Sequence, residues 1–285
     1  MKIGMVLEGG AMRGMYTAGV LDVLMENGVW VDGVVGVSAG AVFGSNYKSL
    51  QLGRAIRYNK AYCADPRYCS IRSLIKTGDL YGEEFCYHEL PNRLDPFDAQ
   101  AFRDNPVEFY VVATDVRTGE PVYHLCTDGD ENDIQWMRAS ASMPMVSRVV
   151  RVDGRELLDG GISDPIPVEW FRSMGYERQL VILTRDSSYE KKKMKGLPVI
   201  RALLKKYPNL IRDMEYRHLR YNAQLRQVRN LENQGKALVL RPSSPVKLGR
   251  TEKDPEKLET LYQLGRKDAL ARMDEIKTFI DQIRS

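Results

Sequence analysis

The sequence predicts an α/β protein with a mainly parallel central sheet. Two short apolar segments, residues 3–7 and 34–37, are each followed by a glycine-containing turn and then by a helical pattern, in which apolar residues recur every three or four positions. Continuously apolar strands are typical of a parallel sheet covered by helices on both faces. The length of 285 residues is enough for one large domain or two modest ones.

The predicted elements begin in the order β-α-β-α. The strand over residues 3–7 is followed by a helix that ends at Gly28, because glycine tolerates a left-handed cap. The strand over residues 34–37 leads directly into a helix of small residues. Residues 51–105 predict helices and irregular structure without strong strands.

The remainder of the chain alternates strand and helix patterns again. Strands are predicted over residues 108–113, 121–126, 179–184 and 237–240, with a hairpin over 149–158. Helices are predicted over residues 132–141, 197–233 and from about 255 to 283. This alternation extends the predicted sheet well beyond the first fifty residues.

The composition excludes several classes of protein. Hydrophobic residues make up 43% and charged residues 28%, which rules out a disordered, collagen-like or coiled-coil chain. The net charge of +4, from 42 basic and 38 acidic residues, is too small to indicate nucleic acid as the main partner. The four cysteines form no C-x-x-C pair and have no histidine at a zinc-ligand spacing, so we expect reduced thiols and no metal.

No segment of the sequence predicts a membrane anchor. Apolar stretches fall short of the roughly 18 residues that a span needs, and the N-terminal apolar run is too short for a signal peptide. We therefore expect a soluble, cytoplasmic protein. A run of lysines offers charge that anionic lipids at the inner membrane face would attract, with a solvated loop as the alternative. The lysines are Lys191, Lys192, Lys193 and Lys195.

Gly36-Val37-Ser38-Ala39-Gly40 forms a G-x-S-x-G pentapeptide. Its context is more informative than the pattern, because a predicted buried strand precedes it and a helix follows. Such a turn is so tight that only small flanking residues avoid a clash, and it directs a helix N-terminus at the exposed hydroxyl. The motif predicts Ser38 as a nucleophile; a glycine-rich turn with an unreactive serine is the alternative.

A second glycine-rich turn lies between the first strand and the first helix. It consists of Gly9, Gly10, Ala11, Met12, Arg13 and Gly14. Successive N–H groups in such a turn form a nest that holds negative charge. Because neighbouring parallel strands end at the same edge of a sheet, we expect this nest beside Ser38 as an oxyanion hole. A phosphate-binding loop is the alternative, but the turn lacks both G-K-[ST] and the spacing G-x-G-x-x-G.

A serine nucleophile needs a base. The chain has only three histidines, which are His88, His124 and His218, and none lies in a glycine-containing loop. Asp159 instead ends an apolar strand and precedes Gly160 and Gly161, so its carboxylate can approach another turn closely. The alternative is an Asx turn at the end of a strand.

These three motifs, in this order, resemble the patatin-like phospholipase family. Further matching stretches include Thr114-Asp115 and Ser140, and the similarity extends to about residue 184. The resemblance implies a patatin-type three-layer α/β/α fold related to α/β-hydrolases. It further implies a catalytic domain over residues 1–184, with a helical extension containing one strand over 185–285, as in bacterial members, packed on that domain.

The resemblance also implies a Ser–Asp dyad that cleaves lipid esters without histidine, metal or cofactor. Ser38 is the nucleophile and Asp159 its base, while backbone N–H groups stabilise the oxyanion. Those N–H groups belong to Gly9, Gly10, Ala11, Met12 and Ala39, and the supporting residues are Arg13, Gly14, Gly36, Gly40, Gly160 and Gly161. Ala11 departs from the family pattern, where glycine is usual, and a positive φ at this position would be strained.

Two other functions stay open on the sequence alone. A non-catalytic lipid- or acyl-binding protein would have the same fold, and a nucleotide-binding protein would use the glycine-rich turn for phosphate. The Tyr-rich segment 57–90 is a candidate for a lid with an acyl-chain channel, or for a packed helical insert.

Overall fold

Eight strands form one mixed sheet among residues 2–284, the part of the chain that the computed structural model describes. The strands are β1 (Ile3–Leu7), β2 (Gly33–Val37), β3 (Glu108–Asp115), β4 (Pro121–Cys126), β5 (Val150–Val152), β6 (Arg155–Asp159), β7 (Arg178–Ile182) and β8 (Ala237–Leu240). Their order is β5-β6-β3-β2-β1-β7-β8, and β4 also pairs with β3.

Five adjacent strands, β3, β2, β1, β7 and β8, run parallel to one another. The other three, β4, β5 and β6, pair antiparallel with their neighbours. All residues of β1 and β2 are buried, as their continuously apolar sequence predicts. The mainly parallel sheet expected from the sequence is therefore confirmed.

Eleven α-helices connect and cover the strands in the described residues. They are α1 (Met15–Glu26), α2 (Ala39–Lys48), α3 (Arg54–Tyr62), α4 (Ile71–Thr77), α5 (Ala99–Asp104), α6 (Glu131–Ala141), α7 (Val168–Ser173), α8 (Leu197–Leu203), α9 (Pro208–Asn233), α10 (Pro255–Ala271) and α11 (Met273–Arg284). Short 3₁₀ turns occupy Ala11–Gly14 and Gly160–Ile162, and a π-helix occupies Glu84–Leu94.

The helix predicted over residues 197–233 is divided in the structure. Pro208 begins α9, and Tyr207 before it has a non-helical backbone, with φ −124° and ψ 70°. A proline disfavours the helical conformation in the preceding residue, so the long pattern separates into α8 and α9 at this point.

Alternate residues of β1 face two separate apolar layers. Met5 and Leu7 belong to a cluster with residues of α1, α2, α10 and α11, whereas Val6 belongs to a cluster with residues of α7 and α9. Because side chains alternate between the two faces of a strand, helices must cover both sides of the sheet. The fold is thus a three-layer α/β/α sandwich.

The chain after residue 184 shares both the sheet and the core with the part before it. β8 pairs in parallel with β7, and α10 crosses α1 where two glycines, Gly19 and Gly265, each abut a backbone carbonyl of the other helix. Tyr262 on α10 donates a hydrogen bond of 2.7 Å to the buried Asp22 on α1. A side chain at either glycine would push the helices apart. The division at residue 184 stays a prediction.

Candidate active site

Ser38 lies on a strained turn between β2 and α2. Its backbone has φ 56° and ψ −123°, a region that residues other than glycine rarely adopt. The flanking glycines are required by space: a Cβ on Gly36 would lie 2.6 Å from the Cα of Ala41, and one on Gly40 would meet the carbonyl oxygen of Leu7. The turn therefore has the geometry that the G-x-S-x-G pattern predicts.

Asp159 ends β6 and accepts a hydrogen bond of 2.7 Å from the Ser38 hydroxyl. The sheet brings the two together: β2 and β6 both pair with β3, where Val37 is opposite Val112 and Asp159 is opposite Ala113. The other carboxylate oxygen of Asp159 accepts a 2.7 Å hydrogen bond from the Gly161 N–H. The two side chains, 121 residues apart in sequence, thus form a direct contact.

Burial and neighbouring groups act in opposite directions on the Asp159 carboxyl. Only 4% of Asp159 is exposed, and this burial raises its pKa above the ordinary value. The charge of Arg217 and the hydrogen bonds from Ser38 and Gly161 oppose that shift. Arg217 is held nearby, because its Nε donates to the carbonyl oxygen of Gly161.

Three further hydroxyl-bearing residues position the backbone around the Ser–Asp contact. Ser140 Oγ accepts a 2.8 Å hydrogen bond from the Ser38 N–H, and the carbonyl of Ser142 accepts one of 2.8 Å from the Asp159 N–H. Thr114 donates one of 2.8 Å to the Asp159 carbonyl. The sequence marked Thr114 and Ser140 only as matching family stretches and gave neither of them a role.

The glycine-rich turn lies directly beside Ser38. A Cβ on Gly9 would lie 2.6 Å from the Cβ of Ser38, so the backbone approaches the serine closely. None of the predicted oxyanion N–H groups makes an intramolecular hydrogen bond within residues 2–284, which leaves them available to a ligand; they are those of Gly9, Gly10, Ala11, Met12 and Ala39. Ala11 has φ 48°, so this position does use the left-handed region, and the alanine occupies it under strain.

The residues expected to support these motifs are packed tightly. A Cβ on Gly160 would meet the carbonyl of Val112, and one on Gly14 would lie 2.7 Å from the Phe43 ring. Arg13 is buried, and within the described chain its Nε has no hydrogen-bond partner. Burial and the charge of Arg185 lower the pKa of Arg13 to about 10.

A buried carboxylate lies behind the glycine-rich turn and was not predicted. Glu8 accepts hydrogen bonds of 2.6 Å from the Thr184 N–H and 2.6 Å from the Tyr221 hydroxyl. Thr184 also donates to the carbonyl of Gly9 at 3.1 Å. These hydrogen bonds connect the turn to the residues after β7 and to α9. The sequence around Glu8 contains no local pattern that would predict them.

An apolar cavity of about 120 Å³ opens from Ser38. Its walls come from the first turns of α2, from α6 and from the segment 57–90, which contributes Tyr58, Tyr68, Tyr81, Cys86, Tyr87 and Leu90. Tyr68 and Phe85 of that segment are buried and meet edge to face. The segment is therefore a packed helical insert that also lines the cavity; a role as a lid or acyl-chain channel stays a prediction.

A second cavity, of about 110 Å³, also includes Ser38 and Asp159. We call it the cationic cavity, because it is lined by Arg13, Arg185, Lys191, Arg217 and Arg250. Lys191 is half-buried and lines this cavity, and its Nζ lies 4.8 Å from the centre of the Tyr221 ring. Its contact with a membrane stays a prediction. Lys192, Lys193 and Lys195 are exposed, and their contact with a membrane stays a prediction.

The histidines lie outside both cavities, in the elements that the sequence predicts for them. His124 is on β4, His218 on α9 and His88 in the π-helix. His124, Cys126 and Asp133 bring three possible metal ligands within 4.8 Å of one another, a grouping that the sequence spacing did not predict. The Asp133 oxygens are already engaged by His124 and by the N–H groups of residues 128 and 129.

The fold and the site together define the patatin class of proteins. That class has a three-layer α/β/α fold in which a glycine-rich turn, a strained serine and an aspartate-glycine-glycine turn meet at the ends of the strands. The family model described as patatin-like phospholipase matches residues 5–171, so this chain belongs to the patatin-like phospholipase family. A second model, a domain of unknown function called DUF6363, matches residues 207–281.

Curated relatives match at modest identity. The uncharacterized protein YjjU of Escherichia coli is 32% identical over 192 residues, covering 65% of this chain and 53% of that protein. Lysophospholipase nte1 of Aspergillus fumigatus is 28% identical over 182 residues, covering 61% of this chain and 11% of that protein. The chain thus spans about half or less of the length of these relatives.

Among solved structures, VipD from Legionella pneumophila aligns with a TM-score of 0.47 and 12% identity, covering 96% of this chain and 67% of that one. Within residues 2–284, no helix has the length and apolar character that crossing a membrane requires.

Proposed function

We propose that this protein is a serine acyl hydrolase of lipid esters, similar to phospholipases A and lysophospholipases, that uses Ser38 as nucleophile and Asp159 as base. The observation that carries the proposal is the 2.7 Å hydrogen bond from the Ser38 hydroxyl to the Asp159 carboxylate, at a point where two cavities meet. The family description and the name lysophospholipase of one relative support the same class of substrate.

Acylation begins when Ser38 attacks the ester carbonyl carbon. A bond forms between Oγ and that carbon, and the hydroxyl proton passes to the Asp159 carboxylate. The carbonyl oxygen becomes an oxyanion. When the tetrahedral intermediate collapses, the ester C–O bond breaks and the leaving alcohol takes the proton from Asp159.

Deacylation repeats the sequence with water. Asp159 takes a proton from the water while the water oxygen attacks the acyl carbon. When the intermediate collapses, Asp159 returns this proton to the Ser38 Oγ and the fatty acid leaves. A carboxylate is a weak base for a hydroxyl, but burial raises the pKa of Asp159 and thereby strengthens it.

Stabilisation of the oxyanion is assigned to backbone N–H groups. Those of Gly10, Ala11 and Met12 make no hydrogen bond to other described residues, and the Ala39 N–H lies at the start of α2 beside Ser38. Fixed donors of this kind are worth about 3–4 kcal/mol each in comparable sites, so they supply much of the barrier reduction.

The apolar cavity is the assigned site of the acyl chain. Tyrosine rings, Leu90 and Met137 line it, and it begins at Ser38 and Met12. Each methylene of the acyl chain that moves from water into this lining stabilises the bound state by about 0.8 kcal/mol. Longer acyl chains should therefore be preferred over shorter ones up to the length that this cavity covers.

The test is hydrolysis of a p-nitrophenyl acyl ester by Ser38→Ala and Asp159→Ala, each made separately. We expect each variant to lose at least 10³-fold in kcat. Ser49→Ala is the matched control, because Ser49 caps the far end of α2 and its hydroxyl, among the described residues, bonds to Asn46 and Gln51. Full activity of either site variant would remove that residue from the mechanism. A wild-type protein that binds fatty acid but does not hydrolyse the ester would favour a non-catalytic lipid-binding role.

A further inference from the structure

Five cationic side chains surround the cationic cavity without any ion pair. Within residues 2–284, none of the five has a carboxylate oxygen within 4 Å of its charged nitrogens. Four of the five side chains contact aromatic rings, a backbone carbonyl or the Met143 sulfur instead; they are Arg185, Lys191, Arg217 and Arg250. Arg13 is buried, Arg250 is exposed, and the other three are half-buried. Because a buried arginine is usually paired, the interior of this cavity holds more positive charge than the described chain pairs.

The two acidic residues in the cavity are already engaged. Glu8 accepts hydrogen bonds from Thr184 and Tyr221, and Asp159 accepts them from Ser38 and Gly161. Two carboxylates therefore face five cations, and neither carboxylate is free to bind a cationic ligand.

Lys191 and Arg13 are the two cations of this cavity whose surroundings favour an added anion most clearly. Burial and the charge of Arg217 lower the pKa of Lys191 to about 7, and the Arg13 Nε is a buried donor without an acceptor in the described residues. An anion in the cavity would pair with both groups. Arginine in particular binds phosphate oxygens with parallel N–H bonds.

The aromatic faces in the cavity are covered. The Arg185 guanidinium lies 4.5 Å from the centre of the Tyr189 ring, and the Lys191 ammonium lies 4.8 Å from that of Tyr221. A quaternary ammonium needs such faces for binding. A quaternary ammonium in this cavity would have to displace the Arg185 and Lys191 side chains, and it would be repelled by their positive charge.

We propose that the cationic cavity binds a phosphate on the alcohol side of the ester, and that it selects anionic headgroups over those that carry a quaternary ammonium. This assignment rests on the proposed hydrolase function. Ser38 is shared by both cavities, so an ester at Ser38 with its acyl chain in the apolar cavity places its alcohol side in the cationic one. Four of the five cations lie outside the segment 5–171 that the patatin model matches.

The test compares two lysophospholipids with the same palmitoyl chain, lysophosphatidylglycerol and lysophosphatidylcholine, in micelles of one nonionic detergent. Release of fatty acid gives kcat/KM for each, and p-nitrophenyl butyrate serves as the uncharged reference. We expect the wild-type protein to favour the glycerol headgroup at least tenfold. Lys191→Gln and Arg250→Gln should each reduce that ratio at least threefold.

Lys192→Gln is the matched control, because Lys192 is adjacent in sequence but exposed outside the cavity. It should leave the headgroup ratio unchanged. Thermal unfolding of each variant verifies that it is folded, and Arg185→Gln replaces any variant that is not.

The outcomes separate the two proposals. Absence of hydrolysis of p-nitrophenyl butyrate and of both lysophospholipids would overturn the hydrolase function itself. Hydrolysis with a headgroup ratio near one, or with a ratio that Lys191→Gln and Arg250→Gln leave intact, would overturn the anionic-headgroup assignment alone. A last arm adds inorganic phosphate: if it inhibits butyrate hydrolysis while the headgroup ratio stays near one, the cavity holds a free anion and the assignment to a lipid headgroup is wrong.

Discussion

Tyr221 on α9 donates a hydrogen bond of 2.6 Å to Glu8, at the start of the glycine-rich turn. The two residues are 213 positions apart, and both are buried. Through this contact the C-terminal part of the chain supports the backbone beside Ser38. Removal of the hydroxyl leaves a buried carboxylate oxygen without its donor.

Tyr221→Phe should therefore lower the free energy of unfolding by about 1–3 kcal/mol, measured by urea denaturation. Tyr216→Phe is the matched control on the same helix, because its side chain is 53% exposed. Equal stability of the two variants would show that the buried contact contributes nothing.

The pH dependence of stability should reveal the buried Asp159 carboxyl. Its pKa is raised in the folded state, so the native protein binds this proton more tightly than the unfolded chain does. Stability from this group therefore falls as pH rises from the ordinary aspartate range, near 4, through the raised folded-state pKa.

Asp159→Asn removes that contribution while preserving the shape of the side chain. We expect the variant to melt at a higher temperature than the wild-type protein at pH 7 to 8, with the difference shrinking toward pH 4. The contributions of other titrating groups, Lys191 among them, cancel in the difference between the two melting temperatures. A melting-temperature difference that does not change with pH would contradict the predicted direction.

Ala11 occupies the left-handed region at φ 48°, and this conformation costs about 1–2 kcal/mol in a residue other than glycine. Ala11→Gly relieves the strain but gains flexibility in the unfolded chain, so its unfolding free energy should stay within about 1 kcal/mol of the wild-type value. Its ester hydrolysis should be retained.

Ala11→Val provides the contrast, because a β-branched residue is much less tolerated at positive φ. We expect it to lose at least tenfold in kcat. If the valine variant kept full activity, the backbone geometry of this turn would be irrelevant to the reaction.

Acyl-chain preference should depend on the apolar cavity. Val42 lines it one turn after Ser38, so Val42→Phe shortens the space available. The ratio of kcat/KM for p-nitrophenyl decanoate to that for butyrate should fall at least tenfold. Val199→Phe is the control, since Val199 is 58% exposed on α8. An unchanged ratio in the Val42 variant would mean that the acyl chain lies elsewhere.

Local sequence was sufficient for the elements that position the site. The apolar runs of β1 and β2 and the glycines around Ser38 reflect constraints that act within a few residues, namely burial on both faces and a turn without room for a side chain. The position of Asp159 at the end of a strand was predicted from equally local features, namely the apolar residues before it and the two glycines after it.

Contacts between distant parts of the chain could not be predicted in this way. Glu8 has no local signature, because its partners lie at residues 184 and 221. Lys191 belongs to a lysine run that resembles a solvated loop, and only the fold turns its side chain toward the Tyr221 ring. The same holds for Arg217, whose place near Asp159 depends on how α9 packs against the sheet.

Labelling by a fluorophosphonate probe tests the central claim, that Ser38 is an activated nucleophile, most directly. Mass spectrometry of the labelled protein should locate a single adduct on the peptide containing Ser38. The adduct should be absent in Ser38→Ala, form at least tenfold more slowly in Asp159→Asn, and form at the wild-type rate in Ser49→Ala. A folded wild-type protein that stays unlabelled, or that is labelled on another serine, would contradict the account.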